Sequence, residues 1–367
     1  MNPLETIIRE EIRARGPMRF DRYMELALYH PEHGYYAVPR KIGREGDFFT
    51  SVSVGPLFGR LLARQILQMV ELLADEPLVW VIEQGAHDGQ LARDILDELS
   101  RWPAVRDRIR YMLVEPWPGF QDLQERTIGA RSGDVLWAKG LDAWKAERPA
   151  GVFISNELAD ALPVRLIEAR DGEWLERCVT VGEDDEFGWV HGPLDDDLRQ
   201  AVGELPLVPA DRHRAEIGVA ARDWMGKTSA FLRRGYVLTI DYGFPAAELY
   251  APHRRDGTLT TYRDHRRGDD VLRAPGEQDI TAHVDFTALA RVGARSGWQA
   301  LALVDQQRFL TGILQGCGLQ FDAKEVRAFQ TLTHPEFLGA RFKALVMAKD
   351  APTALDGLRF ARVGGLE

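Results

Sequence analysis

Hydrophobic positions over the first thirty residues recur at helical intervals: Leu4, Ile7, Ile8 and Ile12, then Tyr23, Met24, Leu26, Ala27 and Leu28. The spacing predicts two amphipathic helices parted at Gly16-Pro17. A glycine-punctuated stretch, YYAVPRKIGREGDFFTS, follows. Pro56 to Leu73 then predicts a third helix, with Leu57, Phe58, Leu61, Leu62, Ile66, Leu67 and Val70 on its apolar side. From residue 78 the rhythm changes to short apolar runs separated by helical segments: LVWVIE, YMLVEP, VLW, GVFISNE and GYVLTIDYG. Strands buried on both faces lose the in-out alternation, so these runs predict an α/β fold, an open doubly wound sheet covered by helices.

Two stretches interrupt the alternation. Residues 164–192 read as antiparallel strands with turns at Asp171-Gly172 and around 183–187. Residues 251–284 are polar, rich in Arg and Gly, and read as a long loop. The expected organisation is a helical extension with a lid loop over 1–75 and a core over 76–350. The core carries insertions at about 164–234 and 251–284, and a tail covers 351–367.

With 45% hydrophobic and 28% charged residues the chain is expected to be globular, and its net charge of -10 argues against a general nucleic-acid coat. Cys178 and Cys317 are far apart and lack a CxxC partner, so neither a disulfide scaffold nor a cysteine zinc site is expected. His30 and His33 have a helical pair's spacing, but Pro31 breaks the helix, and no metal is expected. The opening MNPLETIIREEIRARG has no apolar core of signal length and no later segment suits a bilayer, so a cytoplasmic protein without membrane insertion is expected.

In an open α/β sheet ligands bind beyond the carboxyl ends of the strands. The residues there are Glu83, Gly85, His87, Asp88 and Gly89 after the first run and Glu115 after the second. Asn156, Glu157 and Asp160 follow the fourth, and Asp241, Tyr242 and Gly243 the fifth. A glycine turn before a helix usually suits phosphate, but Glu83, Asp88 and Glu115 would repel a pyrophosphate. They would attract a sulfonium and an ammonium, and a carboxylate after the second strand suits a ribose diol. That pattern points to S-adenosylmethionine rather than NAD or ATP. The bland alternative is that the glycines only permit a tight turn.

The residues also resemble the MidA-type proteins. The resemblance rests on HPEHGYY (30–36), GDFFTS with PLFG (46–59), SNELADALPV (155–164), LTIDYG (238–243), TLTTYRDH (258–265), DITAHVDF (279–286) and HPEFLGARFKAL (334–345), in order along nearly the whole chain. It implies a class I S-adenosylmethionine-dependent methyltransferase with a Rossmann-like doubly wound sheet, an N-terminal helical extension and inserted segments. It also implies methylation of a protein arginine, in a complex I-type subunit for the mitochondrial member. The chain departs from the family at His87, where the turn usually has glycine, and at Val52 and Ser53, which replace proline and glutamate. The long Gly85 to Glu115 separation requires an extended first helix or loop.

Methyl transfer needs alignment more than a trained nucleophile. An arginine acceptor stays protonated, and carboxylates gripping its far nitrogens would turn the remaining one toward the methyl. Glu157 and Asp160, three apart, share a face if a helical turn begins after Asn156, with Asn156 as positioner; the alternative has Asn156 capping that helix. Asp241 or Tyr242 would line the acceptor side, with His283 a possible proton acceptor or a structural histidine. Asp47 and Thr50 would close over the cofactor, unless Thr50 or Ser51 caps the helix near Pro56. Arg254, Arg255, Arg263, Arg266 and Arg267 form a basic loop for an acidic protein surface or a solvated loop. The rival functions are a small-molecule methyltransferase, a non-catalytic assembly factor and an NAD-dependent dehydrogenase.

Overall fold

In the computed structural model, residues 2–37, 50–144, 147–206, 210, 212–263, 266–362 and 366 are described. The central sheet has β1 (Val79–Gln84), β2 (Ile109–Val114), β3 (Val135–Ala138), β4 (Ala150–Asn156), β5 (Arg234–Phe244), β6 (Gln299–Asp305) and β7 (Phe342–Lys349). Their spatial order is β3-β2-β1-β4-β5-β7-β6, with β7 antiparallel between β5 and β6 and the pairings from β3 to β5 all parallel. The order reverses between β1 and β4, which opens a crevice past their carboxyl ends.

Neighbouring residues of one strand serve opposite layers. Val81 and Ile154 pack on the side of α3 (Leu57–Leu72) and α4 (Gln90–Leu99), with Phe58, Leu62 and Ile95. Ile82 and Phe153 pack on the other side, against α6 (Val219–Phe231) and α7 (Phe286–Arg295), whose helices follow α5 (Pro118–Ile128) in the chain. Each fully buried side chain of this size contributes about 1.5–3 kcal/mol relative to exposure. This two-sided burial explains the unbroken apolar runs. Between Gly85 and Glu115 lie α4 and a short turn at Pro103–Arg106, the extended linker that the separation required.

The N-terminal helices are α1 (Pro3–Arg15) and α2 (Phe20–Tyr29), parted at Gly16-Pro17 as expected. Between them Met18–Arg19 pairs with Glu173–Val181 in a second sheet, whose other strands are Arg165–Arg170, Phe187–Gly192 and Arg214–Ile217. The extension and the first insertion therefore share one layer. The Asp171-Gly172 turn has φ of 50° and 81°, the left-handed pair that a two-residue hairpin requires.

The expectation of a long loop over 251–284 is corrected. Within 251–284, Thr260–Arg263 pairs with both Arg266–Gly268 and Asp279–Thr281, a three-stranded sheet nucleated by the β-branched run TLTT. The 351–367 tail is docked in its first half: Gly357 N donates to Gln65 Oε1 at 2.7 Å and Asp356 N to Gln68 Oε1 at 2.9 Å, with Leu355 buried. No helix among the described residues is long and apolar enough to cross a membrane.

Candidate functional site

A cavity of about 1080 Å³ opens past the ends of β1, β4 and β5. From the first turn it is lined by Glu83, Gly85, His87 and Asp88, and from the second strand's end by Glu115, Trp117 and Phe120. Asn156, Glu157 and Asp160 line it past β4, Tyr242 past β5, and Thr50 and His283 from the flanking segments. Gly89 and Asp241, both expected at the ligand, stand behind the wall. Asp47 lies outside the described residues.

Gly85, His87 and Gly89 all have positive φ, 86°, 45° and 83°, which turns β1 sharply into α4. A side chain at Gly85 would meet Leu158 at 3.2 Å, and one at Gly89 would meet the Gln124 backbone at 3.0 Å. Gly89 thus lets α4 approach α5. Asp88 Oδ1 accepts the N–H of Gln90 at 3.0 Å. The His87 ring meets Phe120 edge-on at 5.5 Å, and its carbonyl accepts Gln124 Nε2 at 3.0 Å.

Two carboxylates stand at this rim. Glu83, nearly inaccessible, accepts the Tyr111 hydroxyl at 2.5 Å. Burial, with Asp88 adding, pushes its carboxyl up to about 7 against the Tyr111 bond. Glu115 accepts Trp117 N at 3.0 Å and Gln124 Nε2 at 2.9 Å, and burial raises its pKa as well. These bonds fix the orientation of Glu83 and Glu115.

The loop after β4 differs from the helix expected there. Glu157 has φ of 51°, and its N–H donates sideways to Ile240 O on β5 at 2.9 Å, so no helix begins after Asn156. A single 3-10 turn, Ala159–Ala161, follows. Its cap is Asp241: Oδ2 accepts the N–H groups of Leu158, Ala159 and Asp160 at 3.2, 2.8 and 3.3 Å, and Oδ1 that of Tyr242 at 2.9 Å. The capping role that the alternative reading gave to Asn156 falls to Asp241 from a neighbouring strand. Asn156 instead donates Nδ2 to Glu157 Oε1 at 3.0 Å, leaving its buried Oδ1 without a partner among the described residues.

Glu157 and Asp160 nevertheless face one cavity, through a strained backbone rather than a shared helix face. Burial pushes Glu157 up to about 8, with Asp160 adding, and burial raises Asp160 to about 6 although the Tyr242 hydroxyl donates to its Oδ2. Asp241 is raised well above the usual range by burial, then by Asp160 and Glu157. His283 packs edge-on against Tyr242, ring centroids 5.4 Å apart. Burial, helped by Arg254 and Arg267, pushes its imidazole down to about 4 and keeps it neutral.

Thr50 and Ser51 do not cap α3. Ser53 N donates to Thr50 Oγ1 at 3.1 Å and Ser53 Oγ to Thr50 O at 2.7 Å, closing the short turn that precedes the helix. Ser51 N donates to Glu157 Oε1 at 3.3 Å. His30 and His33 stack on each other, and no cluster of metal-ligating groups occurs among the described residues. Sequence reading missed Tyr29, Tyr36, Trp117, Phe120 and Arg341 in the lining; Trp117 and Phe120, just past Glu115, were findable by the strand-end rule.

The donor set fits a cationic nucleoside. Carboxylates occupy the rim of β1 and β2, Asn156 Oδ1 awaits a donor, and the lining arginines, Arg254, Arg267 and Arg341, come from other segments. Residues 61–304 match the family described as "Putative S-adenosyl-L-methionine-dependent methyltransferase". The chain belongs to this family.

The methyltransferase is similar over 98% of its length to a crystal structure from Burkholderia thailandensis bound to S-adenosyl-homocysteine, with 30% identity, 95% of that chain covered and a TM-score of 0.88. It is also similar to "Protein arginine methyltransferase NDUFAF7 homolog, mitochondrial" of Drosophila melanogaster, 26% identical over 93% of this chain and 83% of the relative. The Danio rerio protein arginine methyltransferase NDUFAF7, also mitochondrial by name, is 26% identical over 91% and 84%. The MidA-type resemblance and the class I fold hold, and the cofactor is S-adenosylmethionine. The dehydrogenase alternative falls with that assignment.

Proposed function

We propose that the methyltransferase acts on an arginine side chain of a protein. The observation that carries this reading is the pair Glu157 and Asp160, half-buried and buried carboxyl groups that face the cavity with no cationic partner among the described residues. A guanidinium would supply that charge and donate paired hydrogen bonds in a fixed plane. The relatives named protein arginine methyltransferases support it, and the MidA-type resemblance implies a complex I-type subunit as partner. A reducing compartment such as the cytoplasm suits the two free cysteines.

In this reading Glu83 and Asp88 face the cationic end of the cofactor, Glu115 its ribose diol, and Gly85 gives the backbone room. Thr50 would close the near side, and Trp117 and Phe120, with the His87 ring edge-on to Phe120, would hold the purine. When bound, S-adenosylmethionine supplies a methyl carbon made electrophilic by its sulfonium. Glu157 and Asp160 bind the two far nitrogens of the guanidinium and leave the third free to be methylated. Tyr242 fixes the Asp160 carboxylate, Asn156 fixes Glu157, and Asp241 positions the loop that carries both. One N–H proton of the acceptor nitrogen would be lost to water, since both acids stay engaged by the far nitrogens. Neutral His283 lines the acceptor side and is not needed as a base.

The test is methyl labelling of lysate protein with tritiated S-adenosylmethionine, followed by acid hydrolysis. Methylarginine is expected, and Asp160→Asn should abolish it while S-adenosylhomocysteine binding persists. Label confined to small metabolites would replace this reading with the small-molecule one. No label anywhere, with the cofactor still bound, would leave a non-catalytic binding protein.

A further inference from the structure

We infer that the lip of this cavity reads an acidic residue flanking the acceptor arginine, through Arg267 and Arg341. The inference rests on the arginine reading and adds the charge of the peptide around that arginine.

Charge is divided within the cavity. Carboxyl groups line the floor, whereas the lining arginines are Arg254, Arg267 and Arg341. Arg254 is already committed: its guanidinium lies 4.0 Å over the Phe244 ring and 3.5 Å from Glu248. Arg267 is exposed, and among the described residues its side chain donates to Thr260 Oγ1 at 3.3 Å, a neutral acceptor. Arg341 is exposed on the segment entering β7 and has no carboxylate partner among the described residues.

Elsewhere in this chain of net charge -10, by contrast, Arg60, Arg165 and Arg234 each engage two carboxylates. A guanidinium held at a cavity mouth with open donors is suited to a bidentate carboxylate. The two come from different segments, 266–268 and the turn before β7, so they approach an extended peptide from separate sides. Phe337, 41% exposed and in the same lining, offers an apolar contact beside Arg341. A peptide whose arginine enters the acid floor would leave its neighbours at this lip. An acidic neighbour is attracted there and a basic one repelled.

The test uses the full chain saturated with S-adenosylhomocysteine and fluorescein-labelled nine-residue glycine-serine peptides with a central arginine. Glutamate, glutamine or lysine is placed two positions to either side, and binding is read by anisotropy. Glutamate should bind about three- to tenfold tighter than glutamine, and lysine weaker than both. Arg267→Gln with Arg341→Gln should erase that ratio, while Arg267→Glu should favour the lysine peptide. Equal binding of all three peptides, with citrulline at the centre still abolishing it, overturns the inference and spares the arginine reading. Indifference to citrulline overturns both. If the glutamine variants lose S-adenosylhomocysteine affinity and keep peptide selectivity, the arginines hold the cofactor's carboxylate and the inference fails. An unchanged melting temperature, expected for exposed positions, shows that each variant is folded.

Discussion

Asp241 Oδ2 accepts the N–H of Ala159 at 2.8 Å, joining the end of β5 to the loop past β4. With the bonds to Leu158, Asp160 and Tyr242, one buried carboxyl organises the backbone that displays Glu157 and Asp160. Asp241→Ala should lower stability by about 2–3 kcal/mol, because several buried N–H groups lose their acceptor. Asp241→Asn, which keeps an acceptor oxygen, should cost less. Urea denaturation gives both numbers. A fully stable alanine variant with intact arginine-peptide affinity would show that the loop holds its shape without this bond.

Glu157 and Asp160 also shape the pH profile. Folded Glu157 and Asp160 titrate at about 8 and about 6, raised by burial, whereas unfolded carboxyls titrate near their ordinary values. The native state therefore holds more protons than the unfolded state across that interval. Stability of the peptide-free protein should fall as pH rises from about 4 to about 8. Arginine-peptide binding should run the opposite way, strengthening from pH 6 to pH 8.5 as both acids ionise, because the guanidinium itself does not titrate there. Glu157→Gln should flatten the upper part of the curve. Calorimetric titration at four pH values decides it, and an affinity independent of pH would count against these two acids as the guanidinium holders.

The parts legible in the sequence were those that repeat a physical constraint. Val81 and Ile82 bury on opposite layers, as do their counterparts along β4, so β1, β2, β4 and β5 announced themselves as continuous apolar runs. β6 did not, since Gln299, Leu301 and Leu303 remain partly exposed at the sheet's edge, and β7 begins directly after the polar Arg341. Met18–Arg19 is too short for any periodicity to reveal. At the site, residue types were legible but orientation was not. Nothing local distinguishes Tyr242, which lines the cavity, from Asp241, which points away to cap a loop 82 residues earlier. The left-handed backbone at Glu157 is likewise set by its bond to Ile240 and not by its own preference.

Glu115 offers a test of the cofactor's orientation. Its carboxylate is fixed by Trp117 N and Gln124 Nε2, and the proposed ribose contact uses its remaining lone pairs. Glu115→Gln should weaken S-adenosylhomocysteine binding about tenfold or more, the scale of a hydrogen bond to a charged group. The discriminating comparison is an analogue lacking both ribose hydroxyls. Wild type should bind it much more weakly than the parent, and the variant should treat the two nearly alike. A variant that still prefers the parent as strongly as wild type does would place the diol elsewhere.

His87 occupies a left-handed position, φ of 45°, where the MidA-type turn usually has glycine. The left-handed backbone is held here by a residue with a side chain, which rests against Phe120. A non-glycine residue there costs about 1–2 kcal/mol, offset by the ring contact and by the smaller entropy of an unfolded chain without glycine. His87→Gly should accordingly change stability by less than about 1 kcal/mol and S-adenosylhomocysteine affinity by less than about threefold. His87→Ile should be worse than either, since a β-branched residue tolerates this conformation poorly and cannot reproduce the edge-on contact. Thermal melts and calorimetry on the three proteins separate the cases. Glycine raising the affinity by tenfold or more would mean that the imidazole intrudes on the cofactor, and the turn would then be adapted to a weaker hold on it.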